Sequence, residues 1–198
     1  KNFEDYPTIK QKKISLIRIA VRKNDFNKAL LFSEKLQKKT GIDVSINVIK
    51  VTNYSLNELI KVCKKFNKTK LKYLYFADTH GNLNLIKDKE KYSKIIKLLQ
   101  SKKKNIGLHL HDHSGNAVMN HRYLKKLNVK FSDTSIKGMG KGYGNLKLEH
   151  VVGIEGLPIV LDLIKKYKKL WTQDPDLYSI ITGYYSISDG DVSIAKKK

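Results

Sequence analysis

Two histidines on one predicted strand are the residues best suited to chemistry. His109 and His111 lie in the run Gly-Leu-His-Leu-His, and residues i and i+2 of a strand project to the same side of a sheet. Two neutral imidazoles on one face are a suitable pair of metal ligands. The spacing alone leaves open a metal pair and a pair of partly buried structural histidines. His113 shares the parity, but we place it beyond the end of the strand and outside the metal site.

A glycine-rich loop follows the next predicted strand. Residues 133–145 read Asp-Thr-Ser-Ile-Lys-Gly-Met-Gly-Lys-Gly-Tyr-Gly-Asn. Glycine permits backbone conformations that are closed to other residues and a close approach to a ligand. Because the loop leads into a predicted helix at 146–152, its amide groups are expected to hold a carboxylate or a phosphate. A flexible turn is the alternative, and the spacing matches neither the dinucleotide fingerprint nor the P-loop.

Polar residues occur in or directly after two other predicted strands. Asp78 and Thr79 follow strand 71–77, where they either orient a substrate or cap the following turn. Arg18 interrupts the apolar strand 14–20. Because a buried charge is costly unless it is paired, Arg18 is either an anchor for a carboxylate or half of a structural ion pair.

Short apolar runs alternate with longer amphipathic stretches along the chain. This alternation predicts parallel strands covered by helices, in either a doubly wound sheet or most of a (β/α)₈ barrel. The candidate residues fall at the carboxyl ends of successive strands, where a barrel assembles its active site, and so favour the barrel. Strands are predicted at 14–20, 42–49, 71–77, 105–111, 129–132 and 177–182, and helices at 24–39 (stopped by Gly41), 55–65 (with a Ser55–Glu58 capping box), 88–101, 115–127, 146–152 and 157–170.

The charge of the chain is strongly positive. Its 198 residues include 40 Lys and Arg against 18 Asp and Glu, a formal net charge of +22. Only three of the basic residues are arginines, although proteins that grip phosphates usually use the bidentate arginine fork as well. We interpret the scattered lysines as a solvated surface that attracts polyanions without specificity, and we expect no dedicated nucleic-acid partner.

Cysteine usage and hydropathy limit the cellular setting. The single cysteine, Cys63, excludes an intrachain disulfide and favours a reducing compartment. No apolar run reaches the roughly 18 residues of a membrane-spanning helix. We therefore expect a cytoplasmic protein with no membrane contact and one catalytic domain over residues 1–198. Because the chain begins at Lys1 rather than Met, we expect it to be a fragment of something longer.

Taken in order, several segments resemble a known family. The runs YLYFADTHGNL, IGLHLHDHSGNAVMN and FSDTSIKGMGKGYGNLKLE are similar to strands five, six and seven of the HMG-CoA-lyase-like, or DRE-TIM, metallolyases. LIRIAVRKNDFNKAL and VSINVIKV resemble strands three and four, especially of 4-hydroxy-2-oxovalerate aldolase-like members. The resemblance covers nearly the whole chain and implies an α/β fold of the TIM (β/α)₈ barrel type.

The resemblance also implies a metal site. His109 and His111 match the two histidine ligands of the family, and Asn145 matches an asparagine at or near the metal. The implied cofactor is a divalent cation, Mn²⁺ or Mg²⁺, acting as a Lewis acid on the enolate of a 2-oxo acid. The implied partner is accordingly a small-molecule 2-oxo acid such as pyruvate or its aldol adduct.

The same resemblance assigns catalytic and substrate-binding residues. Arg18 matches a strand-three position that faces the cavity, and Tyr184 matches an active-site tyrosine of the aldolase C-terminal segment; both are expected to be catalytic. Asp78 and Thr79 match a substrate-side pair at a strand end. The residues expected to bind substrate in the glycine-rich loop are Ser135, Gly138 and Gly140.

Two departures from the family shape the functional prediction. The Asp-Arg-Glu segment of strand one is absent, which predicts an incomplete barrel that lacks about the first two βα units. The His-Pro and Tyr expected after Tyr184 are replaced by Ser188-Asp189-Gly190-Asp191.

We predict a metal-dependent aldolase-type carbon–carbon lyase in the full-length form, which assembles as a homo-oligomer or with a partner dehydrogenase. The alternatives are a Claisen-type acyl-CoA synthase, a non-catalytic protein that binds nucleic acid or anionic glycan, and an inactive barrel remnant.

Overall fold

Helices and strands alternate along the chain as the sequence predicts. A computed structural model describes residues 14–140, 144–170, 181 and 184–187. None of the helices described is both long and apolar enough to cross a bilayer. The elements are β1 (Leu16–Val21), α1 (Phe26–Thr40), β2 (Asp43–Val48), α2 (Leu56–Asn67), β3 (Tyr73–Asp78), α3 (Lys89–Gln100), β4 (Asn105–Leu110), α4 (Ala117–Lys126), β5 (Phe131–Asp133) and α5 (Leu157–Lys166).

The strands form one parallel sheet in the order β1-β2-β3-β4-β5. Arg18 of β1 lies opposite Ser45 of β2, and Asn47 of β2 lies opposite Tyr75 of β3. A doubly wound sheet reverses its strand order at a switch point, whereas consecutive neighbours without reversal are the arrangement of a TIM barrel. The predicted α/β fold is therefore confirmed, and the described strands supply part of such a barrel.

Side chains of β2 and β4 alternate between two faces of the sheet. Val44, Ile46 and Val48 of β2 are fully buried, while Ser45, also buried, and Asn47 project to the other side. In β4 the side chains of Ile106, Leu108 and Leu110 are buried, and His109 projects to the other side. The period of two thus places His109 on the face opposite the apolar residues of its strand.

By its contacts the chain divides into two compact units. The first holds the residues up to Ala77 together with Lys89–Gly107, and the second holds Asp78–Asp88 and the residues from Leu108 onward. The first unit therefore contains β1, β2 and nearly all of β3, and the second contains β5 and the histidine-bearing end of β4. The single catalytic domain predicted over residues 1–198 stays a prediction.

The start of α2 is held by the predicted capping box. The Ser55 hydroxyl accepts a hydrogen bond from the Glu58 backbone N–H, and the Glu58 carboxylate accepts one from the Ser55 N–H. Lys23 forms an ion pair with the same carboxylate. These contacts, with Lys23 the largest contributor, lower the pKa of Glu58 to about 2. The helix begins where the sequence predicts because its first orphan N–H groups are satisfied locally.

Two predicted elements near the glycine-rich loop are corrected, and a third, at the C-terminus, lies largely outside the described residues. β5 covers Phe131–Asp133 instead of 129–132. The helix predicted at 146–152 is wrong, because only a 3₁₀ turn, Leu148–His150, forms there. The Leu146 N–H donates to the Leu110 carbonyl, and the Leu146 carbonyl accepts from Ser135, so this segment pairs with strand ends. The strand predicted at 177–182 lies outside the described residues except for Ile181, which is helical.

We expect Glu58→Gln to remove an acid-dependent part of the stability. Because the folded-state pKa of Glu58 lies below its ordinary value of 4.5, the stabilisation is present above that pH and is lost as the pH falls toward 2. The free energy of unfolding, measured by urea denaturation, should therefore fall more steeply with acidification in the wild-type chain than in the variant. Glu155→Gln, at an exposed position, is the matched control. Parallel curves for wild type and Glu58→Gln would contradict the assignment.

We expect Gly107→Ala to destabilise the first unit. A Cβ atom at Gly107 would lie 2.3 Å from the ring of Tyr75, so the ring must move. The free energy of unfolding should fall by about 1–3 kcal/mol, as for other overpacked positions. In a Tyr75→Ala background the same substitution should cost much less, because the obstructing ring is gone. An equal cost in both backgrounds would show that Tyr75 is not the obstacle.

Candidate functional site

His109 and His111 converge at the carboxyl end of β4. Their Nε2 atoms lie 3.3 Å apart, and their ring centroids are separated by 5.2 Å with an interplanar angle of 64°. Two metal–nitrogen bonds of about 2.1 Å that meet at about 100° would place the nitrogens about 3.2 Å apart. The observed separation therefore suits two neighbouring ligands of one cation, and the ligand role of both histidines stays a prediction.

Asp133, the last residue of β5, contacts the His109 ring. Its Oδ2 lies 2.9 Å from His109 Nδ1, and an ionised carboxylate can only accept a hydrogen bond. Nδ1 of a neutral His109 therefore carries the proton, which leaves a lone pair on Nε2. Sequence reasoning quoted Asp133 in the loop motif but gave it no role. The sequence feature that could have indicated this contact is an acidic residue at the end of β5, the strand that follows β4 and its histidine.

Asn145 is brought beside His111 by backbone pairing. The two residues form an isolated antiparallel bridge, and directly opposed residues of such a pair project to the same side. The Asn145 Nδ2 group donates to the Met139 carbonyl at 3.0 Å. Its Oδ1 atom is buried and has no hydrogen-bond partner among the residues described. Because an unsatisfied buried acceptor is costly, this oxygen is well suited to a cation.

The glycines of the loop make room for Asn145. A Cβ atom at Gly140 would lie 2.1 Å from Asn145 Nδ2, and one at Gly144 would lie 2.4 Å from the Gly138 carbonyl oxygen. Gly138 and Gly144 also have positive φ values, 69° and 106°, which other residues rarely adopt. The loop conformation around Asn145 therefore requires glycine. Substrate binding by Gly138 and Gly140 stays a prediction, and residues 141–143 lie outside the described chain.

The donor set fits a divalent transition metal better than magnesium. It comprises two imidazole nitrogens from His109 and His111 and one amide oxygen from Asn145. Within the described residues, no group of three or more His, Cys, Asp and Glu side chains is placed to hold a metal. Imidazole suits transition ions such as Zn²⁺ and Fe²⁺, whereas carboxylate, carbonyl and water oxygens suit both Mg²⁺ and Mn²⁺. For either predicted ion, the two imidazoles and one amide oxygen occupy only part of the coordination sphere and lack a carboxylate.

The Asp78 carboxylate forms hydrogen bonds with the loop that follows β3. The side chain is 1% exposed, and its two oxygens accept hydrogen bonds from the backbone N–H groups of Asn82 and Leu83 at 3.2 and 3.0 Å. Burial raises the pKa of Asp78 to about 7, opposed by the hydrogen bonds from this loop and by His109. The structure thus shows the turn-capping alternative. Substrate binding by Asp78 and the half-buried Thr79 stays a prediction.

Ser135 lies where β5 meets the segment that follows the glycine-rich loop. Its backbone pairs with Lys147 in a parallel bridge. The Ser135 hydroxyl oxygen is buried, and no described residue forms a hydrogen bond with it. The hydroxyl is therefore able to bind a polar group of a ligand, as the predicted substrate role requires, and that role stays a prediction.

The described neighbours of the two predicted catalytic residues, Arg18 and Tyr184, are as follows. Arg18 belongs to the first unit, where its guanidinium lies 4.4 Å from the centroid of the Tyr75 ring. With the Asn47 amide turned so that its oxygen faces Arg18, that oxygen accepts from Arg18 Nη2 at 2.7 Å and from Nε at 3.3 Å. Tyr184 is 81% exposed, with its ring 5.6 Å from that of Tyr185. Catalysis by Arg18 and Tyr184 stays a prediction.

Comparison with known proteins points to one family. The model of the HMGL-like family matches residues 18–166. Homocitrate synthase subunit alpha of Clostridium pasteurianum is 32% identical over 103 residues, which is 52% of this chain and 37% of that protein. Oxaloacetate decarboxylase of Mycobacterium tuberculosis is 27% identical over 139 residues, 70% of this chain and 40% of that protein. The chain thus spans about two fifths of the length of these relatives.

A solved structure gives the same fold. The N-terminal domain of a candidate aldolase from Bacteroides vulgatus superposes with a TM-score of 0.66 at 20% sequence identity, covering 91% of this chain and 62% of the other. At that identity the likeness supports the fold alone. It agrees with the strand order, which already indicates part of a TIM barrel.

We expect Gly140→Ala to weaken binding of Mn²⁺ by about tenfold or more, the scale for loss of support to a metal ligand. The added Cβ atom would displace the Asn145 amide and so remove its oxygen from the donor set. Isothermal titration calorimetry with MnCl₂ measures the effect. Gly153→Ala is the matched control, because a Cβ atom there meets nothing within 4 Å. Equal affinity in wild type and Gly140→Ala would exclude Asn145 as a ligand.

Proposed function

Because the chain belongs to the HMGL-like family, a family of lyases and synthases, we propose that it forms the catalytic part of a metal-dependent aldolase-type carbon–carbon lyase. The proposed substrate is a 2-oxo acid or its aldol adduct. Support for lyase chemistry comes from the oxaloacetate decarboxylase among its relatives. The chain covers only part of each relative, so the activity proposed is that of the whole protein.

The observation that carries this proposal is the convergence of the two imidazoles. His109 and His111 present their Nε2 atoms to one point at a separation of 3.3 Å, and Asn145 adds a buried oxygen with no other partner among the residues described. We propose these three residues as ligands of Mn²⁺ or Mg²⁺. The Asn145 side chain, for which Gly140 leaves room, belongs to the residue whose backbone pairs with His111.

A divalent cation bound there would supply Lewis-acid polarisation of the carboxylate and keto oxygens of a 2-oxo acid. The protein's own contribution is to orient the substrate. We propose that the Ser135 hydroxyl binds a substrate oxygen, because it is buried and no described residue satisfies it. Asp78 holds the loop after β3 through its hydrogen bonds to Asn82 and Leu83, and Thr79 stands at the start of that loop.

The proposal also assigns roles to four residues outside the ligand set. Gly138 and Gly140 are proposed to let the substrate approach the backbone of the loop, in addition to making room for Asn145. Arg18 and Tyr184 are proposed as catalytic groups on the strength of their motif positions. A homo-oligomer, a partner dehydrogenase and a cytoplasmic location likewise stay predictions.

A second candidate function is Claisen-type condensation of an acyl-CoA with a 2-oxo acid. It is favoured by one specific observation, the similarity to a homocitrate synthase subunit. Both reactions would use the same cation and the same 2-oxo acid group, so the described residues support either. They differ in the second substrate, and the assay must therefore separate an aldol adduct from an acyl-CoA.

We expect the purified full-length protein to release a 2-oxo acid from 4-hydroxy-2-oxo acids in the presence of Mn²⁺. His109→Ala and His111→Ala should each lower the rate at least about 100-fold, because Lewis-acid stabilisation amounts to several kcal/mol. A coupled lactate dehydrogenase assay measures pyruvate, and EDTA should abolish the activity until Mn²⁺ is restored. His150→Ala, at an exposed histidine, is the matched control.

Two results would overturn the lyase proposal. Release of the 2-oxo acid that persists in His109→Ala or in EDTA would show that the imidazole pair is not the catalytic metal site. Formation of free CoA from acetyl-CoA and a 2-oxo acid, without cleavage of the aldol adduct, would assign the protein to the synthases. Loss of 2-oxo acid release in His150→Ala as well would point to general destabilisation.

A further inference from the structure

We propose that Asp133 is the positioning residue of the metal site: its carboxylate holds the His109 ring as the Nδ1–H tautomer and thereby keeps Nε2 directed as a ligand. The inference rests on the proposed function, because this tautomer matters only if the histidines hold a cation. Asp133 opens the glycine-rich loop motif and is not itself one of the proposed ligands.

Both nitrogens of the His109 ring have a close polar neighbour. On one side of the ring, Asp133 Oδ2 lies 2.9 Å from His109 Nδ1. On the other side, His109 Nε2 lies 3.3 Å from His111 Nε2. A flip of the ring would place carbon atoms where both contacts now lie, so the pair of contacts defines one orientation. The proton on Nδ1 and the lone pair on Nε2 follow from the acceptor-only chemistry of the carboxylate.

The neighbouring residue provides an internal comparison. Ser132 of the same strand accepts or donates in a hydrogen bond to His121 Nδ1 at 3.0 Å. A hydroxyl can do either, so Ser132 leaves the tautomer of His121 undetermined. Asp133 leaves no such choice for His109. Successive residues of β5 thus each contact an imidazole, and only the acid selects which nitrogen is available to a metal.

In the absence of Asp133, water would be the hydrogen-bond partner of His109 Nδ1. The His109 side chain is 34% exposed and that of Asp133 is 22% exposed, so solvent reaches both groups. Without a fixed acceptor at Nδ1, either nitrogen of the neutral ring can carry the proton. Carboxylates that orient metal-bound histidines in this way typically contribute about 10–100-fold to metal affinity. Asp133 has the position and the chemistry of such a partner.

The first test needs no metal and no activity. Long-range ¹H–¹⁵N NMR spectra of the metal-free chain, recorded well above the ordinary histidine pKa of about 6.5, report which nitrogen carries the proton. We expect His109, assigned by the loss of its signals in His109→Gln, to be the Nδ1–H tautomer. Asp133→Ala should lose this preference, and Asp133→Asn should keep only part of it, because an amide can present either an acceptor or a donor to Nδ1. His121 should be unchanged in both variants.

The second test measures Mn²⁺ affinity by calorimetry. We expect Asp133→Ala to bind about 10–100-fold more weakly than wild type, with Asp133→Asn substantially closer to wild type. Asp162→Asn removes the same charge from an exposed helical position and should leave the affinity unchanged. Partial rescue by Asn separates orientation of the ring from loss of charge, and a stability change alone would not produce that pattern.

The outcomes separate this inference from the proposed function. An Nε2–H tautomer or an imidazolium at His109 in the wild type would overturn it, as would unchanged Mn²⁺ affinity in a folded Asp133→Ala. If circular dichroism shows that Asp133→Ala does not fold, the His109 tautomer of the wild type and the Mn²⁺ affinity of Asp133→Asn still test the role of Asp133. If Mn²⁺ binds with the expected rescue but no 2-oxo acid is released, the lyase proposal fails and the role of Asp133 stands.

Discussion

Backbone pairing of the segment that follows the glycine-rich loop is the interaction on which the site depends. The Leu146 N–H donates to the Leu110 carbonyl, and the Ser135 N–H donates to the Leu146 carbonyl. These bonds join the ends of β4 and β5 through a third short strand-like piece. They bring Asn145 opposite His111, more than thirty residues away in the sequence. Without these bonds, Asn145 would not be paired with the residue that carries one of the two imidazoles.

That pairing explains the glycines of the loop. A chain that leaves β5 and returns between two strand ends must turn within a few residues, and Gly138 and Gly144 adopt positive φ values to do so. Gly140 meets a different need, because the Asn145 side chain occupies the space that a Cβ atom would require. Conformational freedom and steric room are therefore separate reasons for glycine at neighbouring positions.

Acidic side chains beside the strand ends act through other groups in this structure. Asp78 satisfies backbone N–H groups of the loop after β3, and Asp133 contacts the imidazole of His109. Each fixes the position of something else. This is the usual requirement of a site in which ligands must be held before a substrate or a cation arrives. It also explains why the residue type alone is a poor guide to which acid meets a ligand directly.

Local patterns in the sequence by themselves determined the strand–helix alternation, the capping box of Ser55 and Glu58, and the common side of His109 and His111. Each follows from contacts within a few residues, where hydrogen-bond and side-chain periodicity leave little choice. Only the tertiary structure decided that residues 144–147 extend between two strands instead of starting a helix, and that Asp133 binds His109. Both depend on partners distant in the chain, and the free energy of such contacts is invisible to local propensity.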